Sequence, residues 1–193
     1  MESTARQVLD FWFGSADAPD HGRARAAWFR KDAEFDRRIV EQFGSLIETA
    51  LAGGLAHWQR EPGSALAQIL VLDQFTRNAF RDQPRAFAGD AAALAAARAM
   101  RAAGQDGGLL PVQRAFVYLP FEHAEDIAAQ TQSVRLFTDL AAAAPELADM
   151  LDYAQRHHAV IARFGRFPHR NALLGRDSSA EELAFLQQPG SRF

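Results

Sequence analysis

The chain has 193 residues, 48% of them hydrophobic, enough for one domain, or at most two, with a sizeable core. Its 21 Lys and Arg against 24 Asp and Glu leave a formal charge of -3, so nothing global draws it to nucleic acid or an anionic membrane, and any anion binding must be local. The lack of cysteine excludes a disulfide framework, thiolate catalysis and Cys-ligated zinc.

Glu2 and Asp10 interrupt the N-terminal stretch before a signal-peptide apolar run can form. No segment reaches the ~20 apolar residues of a membrane span. A soluble cytoplasmic protein is therefore expected.

Helical periods recur along the chain, and strand signals are nearly absent. A first helix is predicted near residues 3 to 12. Phe35, Ile39, Phe43, Ile47 and Leu51 then repeat at four-residue spacing behind Asp32 as a cap, and Gly53 with Gly54 ends that helix. Further helices are predicted near residues 64 to 80, 90 to 103, 111 to 118, 121 to 143, 145 to 164 and 179 to 188. The breakers between them are Gly63, Pro84, Gly104 with Gly107 and Gly108, Pro120, Pro145, and the bend from Gly165 to Gly175. Ser178 and Ser179 precede Glu181 and Glu182 at capping-box spacing. The expectation is a single all-α domain over residues 1 to 193, built of stacked helical hairpins, although no period of about 34 residues marks a regular tetratricopeptide array.

Polar residues sit on these helices at informative places. At 100° per residue, Leu66, Ile69, Leu70 and Phe80 share a face whose centre holds Asp73 and Arg77. This i,i+4 pair points inward, either as a structural ion pair or as part of a ligand site, with Asn78 and Arg81 extending it toward the helix end. In "YLPFEHAED", Pro120 is expected to start or kink a helix, with Glu122 and Asp126 complementing its dipole. His123, with Glu125 or Asp126 beside it, is a hydrogen-bonded core histidine, an oriented base or a metal ligand. On the helix of residues 145 to 164, His158 is expected at the centre of the buried stripe and His157 on its flank.

The stretch "RFGRFPHRNALLGRDSS" carries four arginines and one histidine before its first acid, Asp177. Gly165, Pro168 and Gly175 bar a continuous helix there, so the backbone can aim Arg166, His169 and Arg170 together as an anion-recognising wall, with Asn171 as an orienting amide. The structural alternative is that these arginines cap helix carbonyls and pair with acids such as Asp73 or Glu125. No zincin, di-iron, phosphate-loop or nucleophile-elbow motif is present.

"VLDFWFG", "WF" at 28 and 29, "LDQFTRNAFR", "FAGD", "YLPFEHAED", "FGRFPHRNALLGRDSS" and "FLQQPGSRF" together resemble the bacterial family called domain of unknown function 924, nearly end to end. That resemblance implies a tetratricopeptide-like helical fold and assigns no activity. Motif by motif it points to Asp73, Arg77, Asn78, Arg81, His123, Glu125, His157, Arg166, His169, Arg170 and Asn171. The chain departs from the family pattern at Thr76, where proline is usual, and at Ala124, where serine is usual. Two functions are compatible with this. One is binding of an anionic small molecule or a peptide carboxylate at Asp73, Arg77, Asn78, Arg81, Arg166, His169, Arg170 and Asn171. The other is hydrolysis, with a base drawn from His123, Glu125 and His157 and arginines stabilising charge. Neither calls for a metal or a cofactor.

Overall fold

The helix α1 (Ser3–Phe13) buries Ala5, Val8, Trp12 and Phe13, and α2 (Ala33–Leu51) buries Ile39, Phe43, Ile47 and Ala50. Asp32 caps α2 by accepting hydrogen bonds from Glu34 N and Phe35 N, as its position before the apolar period predicts. The computed structural model describes residues 1–19, 21–28 and 30–191; Phe29 of the "WF" pair and Arg192 and Phe193 of the C-terminal motif lie outside the described residues. Beyond α2 come α3 (Pro62–Leu70), a π turn (Val71–Phe75), α4 (Thr76–Ala79), α5 (Asp90–Ala102), α6 (Pro111–Glu122), α7 (Ile127–Ala143), α8 (Ala148–Phe164) and α9 (Ala180–Leu186). No strand occurs among the described residues, so the chain is all-α.

Every residue of α3 from Ser64 to Leu70 is buried, because α3 packs against α1, α5 and α6 at once. A helix surrounded in this way needs apolar residues all round rather than one stripe. Trp12, Trp28, Phe75 and Phe116 tile the core beside it, with the Trp28 and Phe116 rings edge to face at 4.8 Å. Helices α6, α7 and α8 pack each on the next as consecutive hairpins. One apolar cluster runs from α1 to α8, and a smaller one joins Val160, Ile161 and Phe167 with Phe164 and Phe185.

Three expectations are corrected. The helix predicted over residues 64 to 80 is interrupted by the π turn, which adds a residue to one turn and rotates everything after it. Phe80 is consequently only half-buried, while Thr76 and Asn78 are buried. Pro120 neither starts a helix nor separates two: it lies inside α6, which runs on to Glu122, and α7 begins only after Asp126, whose side chain accepts from Ala129 N. Glu122 therefore ends one helix instead of opening another. On α8, His157 is buried and His158 is half-buried, the reverse of the predicted order, because the chain folds back after Gly165 and sets the Phe167 ring 5.5 Å from the His157 ring.

The π turn is met from the side by Gly89, at the start of α5. A Cβ at position 89 would lie 2.0 Å from the Leu72 carbonyl oxygen and within 3.1 Å of the Leu72 Cα. Only a glycine allows this approach, and it sets Asp90 directly beside the polar residues of the π turn and α4. Gly89→Ala should lose ~3 kcal/mol or more of stability in urea denaturation, since backbone must move to admit the methyl group. An unchanged midpoint would refute the close contact.

Candidate functional site

Asp73, on the π turn, is the centre of a buried polar network, its side chain 1% exposed. Its Oδ1 lies 2.7 Å from His123 Nδ1 and 3.0 Å from an Arg77 Nη1 that also donates to the Asp73 carbonyl. Its Oδ2 accepts from Gln74 Nε2 at 2.6 Å. Arg77 reaches across to Asp90, with Nη1 2.9 Å from Oδ1 and Nη2 donating to Oδ2 at 3.1 Å. Asp90 Oδ2 also accepts from Arg170 Nη1 at 3.1 Å, and Arg170 Nη2 donates to the His123 carbonyl at 3.1 Å. The Arg170 guanidinium lies between Phe87 and Phe167, 4.5 Å from each ring centroid, where cation–π attraction offsets part of its desolvation.

Beneath this layer, Glu122 Oε1 lies 3.2 Å from His157 Nδ1, which is 2.9 Å from the Tyr153 carbonyl; the His123 and His157 rings are 6.3 Å apart. Glu122 Oε2 and Arg170 Nε are buried without a hydrogen-bond partner among the described residues. The network is thus assembled from the π turn, α4, the start of α5, the end of α6 and its following loop, α8, and the arginine bend.

Electrostatics divide these groups sharply. Burial alone would raise the Asp73 pKa, but Arg77 and His123 hold its carboxyl well below the usual carboxylate range. Burial opposes the Arg77 charge, and Asp73 and Asp90 override it. Arg170 is pushed down to about 10 by burial and by Arg77, which leaves it cationic at neutral pH. His123 is lowered by burial and then by Arg77, although Asp73 pulls the other way. Burial, followed by His123, takes His157 down to about 3, and burial with the Asp73 charge lifts Glu122 to about 8. At neutral pH the core of the site is therefore two carboxylates against two guanidiniums, flanked by neutral His123, His157 and Glu122. An ionised carboxylate only accepts, so the proton of neutral His123 sits on Nδ1 and the lone pair on Nε2. No described residue bonds that Nε2, and it reaches solvent at the edge of a side chain 15% exposed.

The structure brings together Asp73, Arg77, His123, His157 and Arg170 from the sequence candidates, and disperses the rest. Asn78 and Arg81 both bond the Asp36 carboxylate and tie α4 to α2. Arg166 is held by Glu182 and the Asp177 carbonyl, and Arg176 by Glu125 and Asn171. Asn171 bonds Ser178 within the bend, Glu125 also accepts from Phe167 N, and His169 lies with its ring 5.6 Å from that of Phe167. Asp90, Phe87 and Glu122 were missed as site members. Asp90 reads in the sequence as an ordinary first-turn acid, and only the glycine before it hinted at a close approach.

Two measurements test this geometry. Asp73→Asn and Arg77→Met should each cost about 3 to 5 kcal/mol, with the double variant recovering part of the loss; strict additivity would mean that the pair is not in contact. Glu122 binds a proton in the folded protein that the unfolded chain releases above its ordinary value of 4.5. Folding therefore loses stability as pH rises from that value toward about 8. Relative to Glu122→Gln, wild-type stability should fall by up to ~1.4 kcal/mol per pH unit across that window, and parallel profiles would show an ionised Glu122.

Comparison with known proteins covers almost the whole chain. A solved structure of a protein of unknown function, ATU0120, from Agrobacterium tumefaciens shares 37% sequence identity, covering 96% of this chain and 97% of that one, with a TM-score of 0.84. No curated protein matches. Residues 8–190, which include every member of the polar network, match the family described as bacterial protein of unknown function, DUF924, and the chain belongs to that family.

Proposed function

We propose that the protein is a binding protein whose hairpins, read as tetratricopeptide-like, carry a site for an anionic small molecule or a carboxylate terminus where the polar network meets solvent. The observation that carries the reading is His123: Asp73 fixes its ring at 2.7 Å, no described residue bonds its Nε2, and Arg77 and Arg170 lie in the same network. Such an ionised cluster is an expensive way to stabilise a core, since apolar replacements commonly serve stability as well. The π turn under Asp73 favours a functional origin too, because π insertions cost helix regularity and concentrate at functional sites.

Two surface depressions lie elsewhere. One of about 370 Å³ is bordered by Met1, Glu2, His57, Trp58, Arg60, Glu61 and Ser64, and one of about 460 Å³ by Gln7, Asp10, Phe11, Gln42 and Phe43. Neither contains a residue of the network.

The Asp73–His123 pair also favours a second reading, hydrolysis. Asp73 would hold the imidazole in the tautomer whose Nε2 accepts a proton from water, and the guanidiniums would stabilise developing negative charge.

A thermal-shift screen of carboxylated and phosphorylated metabolites and of carboxylate-ending peptides separates these readings. A true ligand at ~100 times its dissociation constant should add about 2.7 kcal/mol, roughly 5 to 10 °C in melting temperature, to wild type. The gain should vanish in His123→Asn. Peptide hits would place a protein segment on the site, and metabolite hits a small molecule. Turnover of a hit, abolished by Asp73→Asn, would establish hydrolysis. A panel without hits, or hits that survive His123→Asn, would overturn the anion site.

A further inference from the structure

We propose that each anion bound at this site is accompanied by one proton, carried on His123 Nε2, and that the ligands are accordingly singly charged carboxylates rather than dianions. This rests on the anion-site reading above and adds to it the charge of the ligand and the pH range in which it binds.

The groups that face His123 are Asp73 on the π turn, Arg77 on α4, Asp90 on α5, His157 on α8 and Arg170 on the bend; Glu122, beside it in sequence, and His169 of the bend act on His157 behind it, and Glu125 lies two residues on. Arg77 is bonded to Asp73 and Asp90, and Arg170 to Asp90. Glu125 is paired with Arg176. The charges of Arg77, Arg170 and Arg176 are already answered by carboxylates, with only Arg170 Nε lacking a hydrogen-bond partner among the described residues, and buried Asp73 and half-buried Asp90 repel a new negative charge. An anion entering beside them needs a fresh cation.

His123 can supply it without breaking any existing contact. Its Nδ1–H stays on Asp73 at 2.7 Å, while a proton added to Nε2 makes the ring cationic and points a charge-assisted donor outward to solvent. A carboxylate oxygen accepts that N–H, and ring, Asp73 and ligand then form one chain of hydrogen bonds. A dianion would leave one charge unmatched next to Asp73 and Asp90. His157, lowered to about 3, is no proton acceptor in this range.

The sign of the pH dependence follows. The ligand binds the protonated imidazole, whose pKa in the free site lies below its ordinary 6.5. Affinity should fall about tenfold for each pH unit above that value, until binding to the neutral ring takes over. Glu122 ionises only near 8 and would weaken anion binding in the same direction, so it must be separated experimentally.

The experiment titrates wild-type protein, labelled with nitrogen-15 at histidine, with sodium acetate and, at matched ionic strength, with sodium sulfate, from about pH 5.5 to about pH 8.5. Acetate should raise the pKa of His123, bind about tenfold more weakly per pH unit above its free value, and bind at least as well as sulfate. The pH dependence should disappear in His123→Asn, which keeps an amide donor for Asp73, and persist in Glu122→Gln. If His123→Asn does not fold, the acetate-induced rise of the His123 pKa in wild type decides the matter. Saturable acetate binding with an unmoved His123, tighter binding of sulfate, or loss of the pH dependence in Glu122→Gln would overturn proton coupling and leave the anion site standing. Failure of acetate to shift the His123 resonances at any pH would remove both.

Discussion

Burying the ionised carboxylate of Asp73 is the constraint around which the rest of the polar architecture is arranged. Desolvating a carboxylate costs several kcal/mol, and it stays ionised only where nearby cations and donors repay that cost. Here the repayment comes from Arg77, His123 and Gln74, and only Arg77 and Gln74 are near neighbours in sequence. His123 must be brought from fifty residues away, so the loop after α6 is fixed against the π turn. Arg77 carries the demand onward to Asp90, and Asp90 to Arg170, until α4, α5 and the bend are linked through one chain of charges. Such a chain specifies one arrangement, because each unmade link would strand a buried charge.

Apolar packing sets the positions that this chain then exploits. Gly89 lets the start of α5 touch the Leu72 backbone, and that contact fixes the distance from Asp90 to both arginines. Phe87, two residues earlier, covers the Arg170 guanidinium on one side while Phe167 covers the other. Phe167 also meets His157 and belongs to the small cluster with Val160 and Ile161. The same residue thus anchors the bend, shields an arginine from water and seals the histidine layer. Shielding strengthens every pairing within, since charges attract more at lower local dielectric.

Elements with a single clear period were legible in the sequence. In α2, Ile39, Phe43 and Ile47 repeat on one face behind a capping Asp32, and nothing competes with that signal. Two other readings failed because a local rule was overridden by tertiary contacts. Pro120 deletes one backbone donor, yet its neighbours Leu119 and Phe121 are buried and the helix continues around it. The π turn cannot be seen in a 100° projection, and it is what moves Asn78 inward and Phe80 outward. The inward Asp73–Arg77 pair was legible from spacing. Its partners Asp90 and Glu122 were not, because one reads as an N-terminal helix acid and the other as a dipole partner for a helix that begins elsewhere.

The positive charge packed into the bend finds its explanation in the same balance. Arg163 meets Glu181, Arg166 meets Glu182, Arg170 meets Asp90, and Arg176 meets Glu125, so each arginine of the stretch answers an acid supplied by another element. A local surplus in sequence is therefore neutral in space, as suits a chain of mildly negative net charge. The outer pairs, half open to water, contribute little individually and lose strength with salt. Arg170 differs because it is buried, flanked by rings and tied to the loop of His123. Around it, carboxylates and guanidiniums cancel, and changing the charge of any of them breaks a contact. His123, with Nδ1 committed and Nε2 facing solvent, can gain a positive charge while keeping every bond it already makes, and a ligand's charge can therefore be matched there without dismantling the fold.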